Sequence, residues 1–182
     1  EMPENPAERT YFPVPDNDEP LIAVAKDKEQ NIPIIYLFHK HEAVKPEEKG
    51  NMDYMVYSYL TSMIESMLNT RLEELTQKAD APFIQAFAGD GDYLLSKTKG
   101  AFMGIAAAKE DGILTATEAL VREIERVRQF GFTASEYARA KADYLRSLEV
   151  AYNERDKQRT NSYVKEYVRH FIDNEPIPGI EN

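Results

Sequence analysis

A chain of 182 residues, 42% hydrophobic and 30% charged, is long enough to bury one sizeable core and has the composition of a globular domain. Its 22 Lys and Arg face 32 Asp and Glu, a formal charge of −10, which repels phosphate backbones and anionic membrane surfaces and argues against a nucleic-acid partner. Cysteine is absent, which removes disulfides and thiolate metal sites, and no apolar run approaches the roughly 18 residues of a membrane span, so a soluble piece is expected.

Residues 1 to 20 hold five of the ten prolines together with a run of acidic residues, a composition that keeps the backbone extended. We expect a lead-in over 1–19, followed by one α+β domain over 20–182. Two strand candidates open that domain, Leu21 to Lys26 (LIAVAK) and Ile32 to His41 (IPIIYLFHKH), the second rich in β-branched and aromatic residues. After a Pro/Glu/Lys/Gly loop, apolar residues recur at Val56, Tyr59, Leu60, Met63, Ile64, Met67, Leu68, Leu72 and Leu75. This i, i+3, i+4 spacing predicts a long amphipathic helix that stops near Ala79 and Asp80, ahead of Pro82.

Phe83 to Ala88 and Lys99 to Lys109 read as two more strands, the first lying inside the sheet, with a turn at the GDGD of 89–92. Helices are then expected behind two capping boxes, Thr115 to Glu118 and Thr133 to Glu136, with Gly131 closing the first. The last helical stretch runs past Arg169, interrupted near Gln158 to Asn161 and ended by Pro176 to Gly179. The order β-β-α-β-β-α-α predicts an antiparallel sheet of about four strands, covered on one face by long helices.

His39 and His41 lie two apart on a strand and share a face, so a metal could be gripped there, yet Glu42 points the other way. A catalytic zinc needs three protein ligands, and the third histidine, His170, sits on a distant helix, so both early histidines are rejected as ligands. Adjacent acids at Glu47-Glu48 and Glu73-Glu74 read as solvated faces. Asp90 and Asp92 around Gly91 lack the distal glutamate of a calcium loop and read as a turn. Tyr137, Tyr144, Tyr152, Tyr163 and Tyr167 recur at mostly helical spacing and are expected in core and interface packing.

The stretch Gly131 to Arg155, GFTASEYARAKADYLRSLEVAYNER, resembles a signature of the second domain of insulinase (pitrilysin) family zinc peptidases, GFT-x-x-E-hydrophobic-x-x-AK and a long helix. Asn69 to Leu75, with its RL-x-x-L, Ala81-Pro82-Phe83, and His170 to Ile172 with Pro176 to Glu181 are similar to further segments of that domain, in the same order. The resemblance implies zinc in the parent protein, held in a preceding homologous domain by an inverted H-x-x-E-H helix that this chain lacks. No catalytic or metal ligand therefore carries over to this segment, and none binds zinc by this reading.

In the family's partner half, an Arg and, seven residues later, a Tyr reach the substrate carbonyl; here the positions read Thr76 and Phe83, without the charge and without the hydroxyl. The implied role is the non-catalytic domain of a zinc-bearing half, packed on the metal domain and walling a chamber for unfolded peptides. The family's domain begins with a strand and helix ahead of the match, so truncation at the N-terminus and self-association through an exposed sheet edge are expected. A periplasmic or organellar parent fits the resemblance. Two alternatives stay open: a metal-free core subunit of the same fold, and a peptide-binding module acting through its sheet edge.

Overall fold

Apolar periodicity and turn chemistry place seven regular elements along the chain, and the computed structural model describes them over residues 10–157, 159–173 and 175–177. They are β1 (Ile34–Glu42), α1 (Met52–Thr76), β2 (Gln85–Asp92), β3 (Lys99–Ala107), α2 (Ile113–Phe130), α3 (Ala134–Asn153) and α4 (Thr160–Asp173), with 3-10 turns at Pro46–Glu48 and Arg155–Lys157. The α+β class and the helical cover are as expected. Among the described residues the sheet has three strands rather than four, in the order β1-β3-β2 and antiparallel throughout.

Residues 21–26 are not a strand. Among the described residues their apolar run has no backbone beside it to pair with, and Ile22 is 88% exposed; strand preference is a fit to a pleated, half-buried surface, which this segment does not have. A second correction concerns Phe83 to Ala88. The strand starts later, at Gln85, and β2 forms an edge of the sheet instead of its interior, with β3 in the centre. The turn-prone GDGD lies inside β2, and the reversal falls at 93–98, where Ser96 N–H donates to Tyr93 O (2.9 Å) and Leu94 takes a left-handed φ of 53°. Tertiary bonds to the Asp90 side chain and backbone override the local turn signal.

One face of the sheet carries Ile35, Ala86, Ala88, Phe102 and Ala106, which pack with Leu68 and Leu72 of α1, Phe83, and Ala116 and Leu120 of α2 into the main core. A smaller cluster joins Met63 and Met67 to Ala140 of α3, with Tyr59, Phe132 and Tyr144 around it. On the other face Tyr36 stacks on Phe38 and Phe38 meets Tyr93 edge-on at 5.3 Å, while Phe87 remains half-exposed.

The helix ends divide the two expected capping boxes. At α3 the Thr133 hydroxyl accepts from Glu136 N–H, and the Glu136 carboxylate accepts from Thr133 N–H, as the sequence predicts. At α2 the box does not form: the helix begins at Ile113 behind Gly112, so Thr115 lies within its first turn. Gly131 closes α2 at φ +64°, a conformation that costs glycine nothing. The late break in the helices begins at Glu154, and α4 resumes at Thr160 and ends at Asp173. Gln158, Pro178 and Gly179, on which part of that expectation rests, lie outside the described residues, as do Ile180 and Glu181.

Candidate functional site

Beneath the amino-terminal half of α1, where the sheet runs out past its apolar core, lies a polar cavity of about 290 Å³. His41, Lys49, Tyr57, Glu65, Asp90 and Asp92 are among its lining residues. Their placement follows from strand parity: His41, Gly100 and Asp92 form one row across the sheet, and Asp90 falls on the same face two residues along. The His41 ring crosses the central strand above Gly100, so closely that a Cβ on Gly100 would stand 2.4 Å from His41 Cε1. Only glycine leaves room for the crossing.

His41 Nε2 then reaches Asp90 Oδ1 at 2.8 Å, and its Nδ1 lies 2.8 Å from Glu42 O. From α1, Tyr57 donates its phenol proton to Asp90 Oδ2 (3.2 Å), and Asp90 N–H donates to Glu65 Oε1 (2.7 Å). Partial burial works against a charge on His41, but the Glu42 carbonyl and the Asp90 carboxylate outweigh it and hold the ring above the ordinary 6.5. Burial and then the Asp90 charge push the Tyr57 phenol upward, so it remains a proton donor.

This constellation cannot serve as a base and orienter for the neighbouring Ser58 or Ser62 hydroxyl, because both nitrogens of His41 are committed to acceptors and no lone pair is left to take a proton. It does not fit zinc either. His39 is exposed on β1, His170 Nδ1 meets Glu175 O at 2.7 Å on α4, and among the described residues no three His, Asp, Glu or Cys side chains come together around a metal position. Sequence reading singled out His41 and Asp90 separately; that Gly100 lets them join required the strand register.

The remaining site residues are scattered. Thr76 closes α1 with its hydroxyl donating to Glu73 O (2.7 Å), and Phe83 is 0% exposed in the main core, so the two do not share a surface. Glu73 and Glu74 face solvent. The tyrosines divide. Tyr59 and Tyr137 join hydroxyls at 3.2 Å and Tyr144 meets Tyr59 edge-on, whereas Tyr152, Tyr163 and Tyr167 lie at the surface.

Two features suit contact with other polypeptide. The apolar side of α4, Val164, Tyr167, Val168, Phe171 and Ile172, lines an open groove of about 410 Å³, and none of its residues is buried. The two sheet edges also differ. At β2, Asn69 Nδ2 donates to Ala88 O (2.7 Å) and Ala88 N–H donates to Asn69 Oδ1 (2.8 Å), while Glu65 accepts from Asp90 N–H, so α1 side chains already occupy outward-facing backbone groups. On its outer side β1 has no strand beside it among the described residues.

No family model matches the chain. It is 26% identical over 176 residues, 97% of its length, to a "Zinc protease PQQL-like" of Arabidopsis thaliana, of which it spans only 15%. The crystal structure of the periplasmic protease PqqL from Escherichia coli superposes with a TM-score of 0.74 at 20% identity, over 85% of this chain and 17% of that one. The structure of that protease's first half gives the same score over 32% of its length. A predicted insulinase family protease from Yersinia pestis follows at 0.62 and 10% identity, over 81% of this chain and 31% of that one. Homology to insulinase and PqqL-like zinc proteases thus runs over most of the chain, which corresponds to a small part of a much longer relative.

Proposed function

We propose that this segment, homologous over nearly all its length to a zinc protease, is a non-catalytic domain of an insulinase-type metalloendopeptidase that packs on a preceding zinc-bearing domain and walls the chamber for unfolded peptides. The observation that carries the reading is the mismatch of lengths: 97% of this chain aligns with only 15% of the relative. Apolar faces left open on α4 and on the first turns of α1 are what an internal domain turns toward its neighbours.

The parts in hand suit support rather than catalysis. Phe83 fills the core and the Thr76 hydroxyl serves its own helix, so neither supplies a charge or donor to a substrate carbonyl. Zinc belongs to the parent by this reading, with no ligand from His39 or His41. The solved relative is described as periplasmic, and a periplasmic or organellar location is the matching proposal here. Dialysed chain should retain no stoichiometric zinc by elemental analysis and should leave a quenched fluorogenic peptide intact. Bound zinc together with cleavage that disappears in His41→Ala would overturn the proposal.

The contrast between the sheet edges favours a second reading, a module that takes up an extended peptide at β1. Among the described residues its backbone edge has no neighbouring strand, whereas α1 side chains close part of the β2 edge. Saturable binding of labelled unfolded peptides, lost on placing proline at Tyr36 or Phe38, would favour the module; absence of binding would favour the purely structural role. The same open edge predicts self-association, readable by light scattering.

A further inference from the structure

We propose that His41, Gly100, Asp90 and Tyr57 form a proton-operated clasp that fastens the amino-terminal half of α1 to the sheet and keeps the polar cavity closed while His41 is charged. Both oxygens that meet the His41 ring are acceptors. Glu42 O can only accept, and so can the Asp90 carboxylate; each lies 2.8 Å from a different nitrogen of one ring. A neutral imidazole has one N–H and would turn a lone pair toward one of these oxygens. The imidazolium satisfies both.

Asp90 is the joint of the device. One of its oxygens takes the His41 proton from β1, the other takes the Tyr57 proton from α1, and its backbone N–H is held by Glu65 of α1. The charged and titratable groups around the ring are Glu42 beside it on β1, Asp90 and Asp92 on β2, Tyr54, Tyr57 and Glu65 on α1, and Lys49 on the preceding turn. Lys49 Nζ is drawn to Glu175 at 3.8 Å, and Glu42 to Lys99, so the uncompensated charge nearest the ring is the Asp90 carboxylate. Toward the sheet little else holds this end of α1: Met55, Val56 and Leu60 are exposed, and its other anchor, Tyr59 and Met63, packs sideways on Ala140 and Tyr144 of α3.

The sign follows from linkage. A histidine held above its ordinary value when clasped stabilises the closed form at acidic pH and loses that contribution as pH rises through the clasped value. Each unit of separation between clasped and free values shifts the closed-to-open ratio about tenfold. The test uses the full chain. Ring ¹⁵N NMR should show His41 titrating above 6.5, and amide exchange over 54–65, corrected for its intrinsic pH dependence, should accelerate as the ring loses its proton.

In Asp90→Asn the His41 midpoint should fall and the exchange step across its titration should vanish. Gly100→Ala should displace the ring and give the same open exchange without altering charge. Should that variant fail to fold, His41→Gln, which cannot titrate, must leave exchange over 54–65 independent of pH. A His41 midpoint at or below 6.5, or exchange in the parent chain that ignores the titration, would overturn the clasp.

Discussion

The two halves of α1 have the same apolar spacing and opposite fates. Toward the carboxyl end, Leu68 and Leu72 disappear beneath the sheet and α2; toward the amino end, Met55, Val56, Leu60 and Ile64 remain substantially exposed near a polar cavity, and between them Met63 and Met67 pack on α3. A helical period states which residues share a face, and it is silent on what that face meets. The core of this domain thus occupies one end, and the open apolar surface at the other end is available to further polypeptide.

The sharpest way to break this contrast is to truncate one leucine in each half. Leu72→Ala removes a side chain that is 0% exposed and should cost about 3 kcal/mol. Leu60→Ala, at 52% exposure, should cost less than about 0.5 kcal/mol. Urea denaturation followed by circular dichroism measures both, and equal losses would show that the amino-terminal half of α1 is packed as firmly as the rest.

The closed end is further secured by Arg71, whose Nη2 donates to Glu136 Oε2 at 3.0 Å and to Gly131 O at 3.1 Å while its guanidinium lies 4.8 Å from the Phe132 ring centre. Both partners are largely buried, so Arg71→Ala, which strands the carboxylate, should cost about 2–3 kcal/mol. The Arg71 hydrogen bonds, against the opposing effect of burial and with help from Thr133, lower the Glu136 carboxyl from 4.5 to about 2. A depressed carboxyl stabilises the fold above pH 4.5 and loses that contribution as pH falls toward 2. The acid limb of a stability profile should therefore flatten between those values in Arg71→Ala; an unchanged limb would remove this pair from the account.

Much of the closed end was legible in the sequence. The long helix, expected to stop near Ala79 and ending a turn earlier at Thr76, the Thr133 capping box and the Gly131 stop depend on contacts within a few residues, which local pattern encodes. What depended on distant partners was not. LIAVAK has strand composition and, among the described residues, no strand beside it. GDGD has turn composition, yet becomes strand because His41, Tyr57 and Glu65 hold Asp90 from three sides. His41 reads locally as a metal candidate, but its place depends on Gly100, whose role appears only once β1, β3 and β2 are laid in register. The family resemblance reached the right fold because its signature falls on α3, a segment whose cap and Arg71 partner join it to the core.

A smaller effect separates the two Thr-x-x-Glu sequences. Thr133→Ala removes a hydroxyl that accepts from Glu136 N–H and should cost about 1 kcal/mol, whereas Thr115→Ala, already inside α2, should be close to neutral. Matched melting curves decide it, and equal losses would mean that Thr115 does cap α2.

The smallest change in folding stability is expected on α4. Phe171 is 86% exposed on the apolar groove, so Phe171→Ser removes almost no buried surface and should alter stability by less than about 0.5 kcal/mol. If the groove is a packing face for another part of a longer protein, the substitution acts on association instead: the isolated chain should become more soluble and less prone to assemble at high concentration. Light scattering on both proteins distinguishes this from a groove that folds back on its own domain. A large stability loss with unchanged association would assign α4 to the core of this chain.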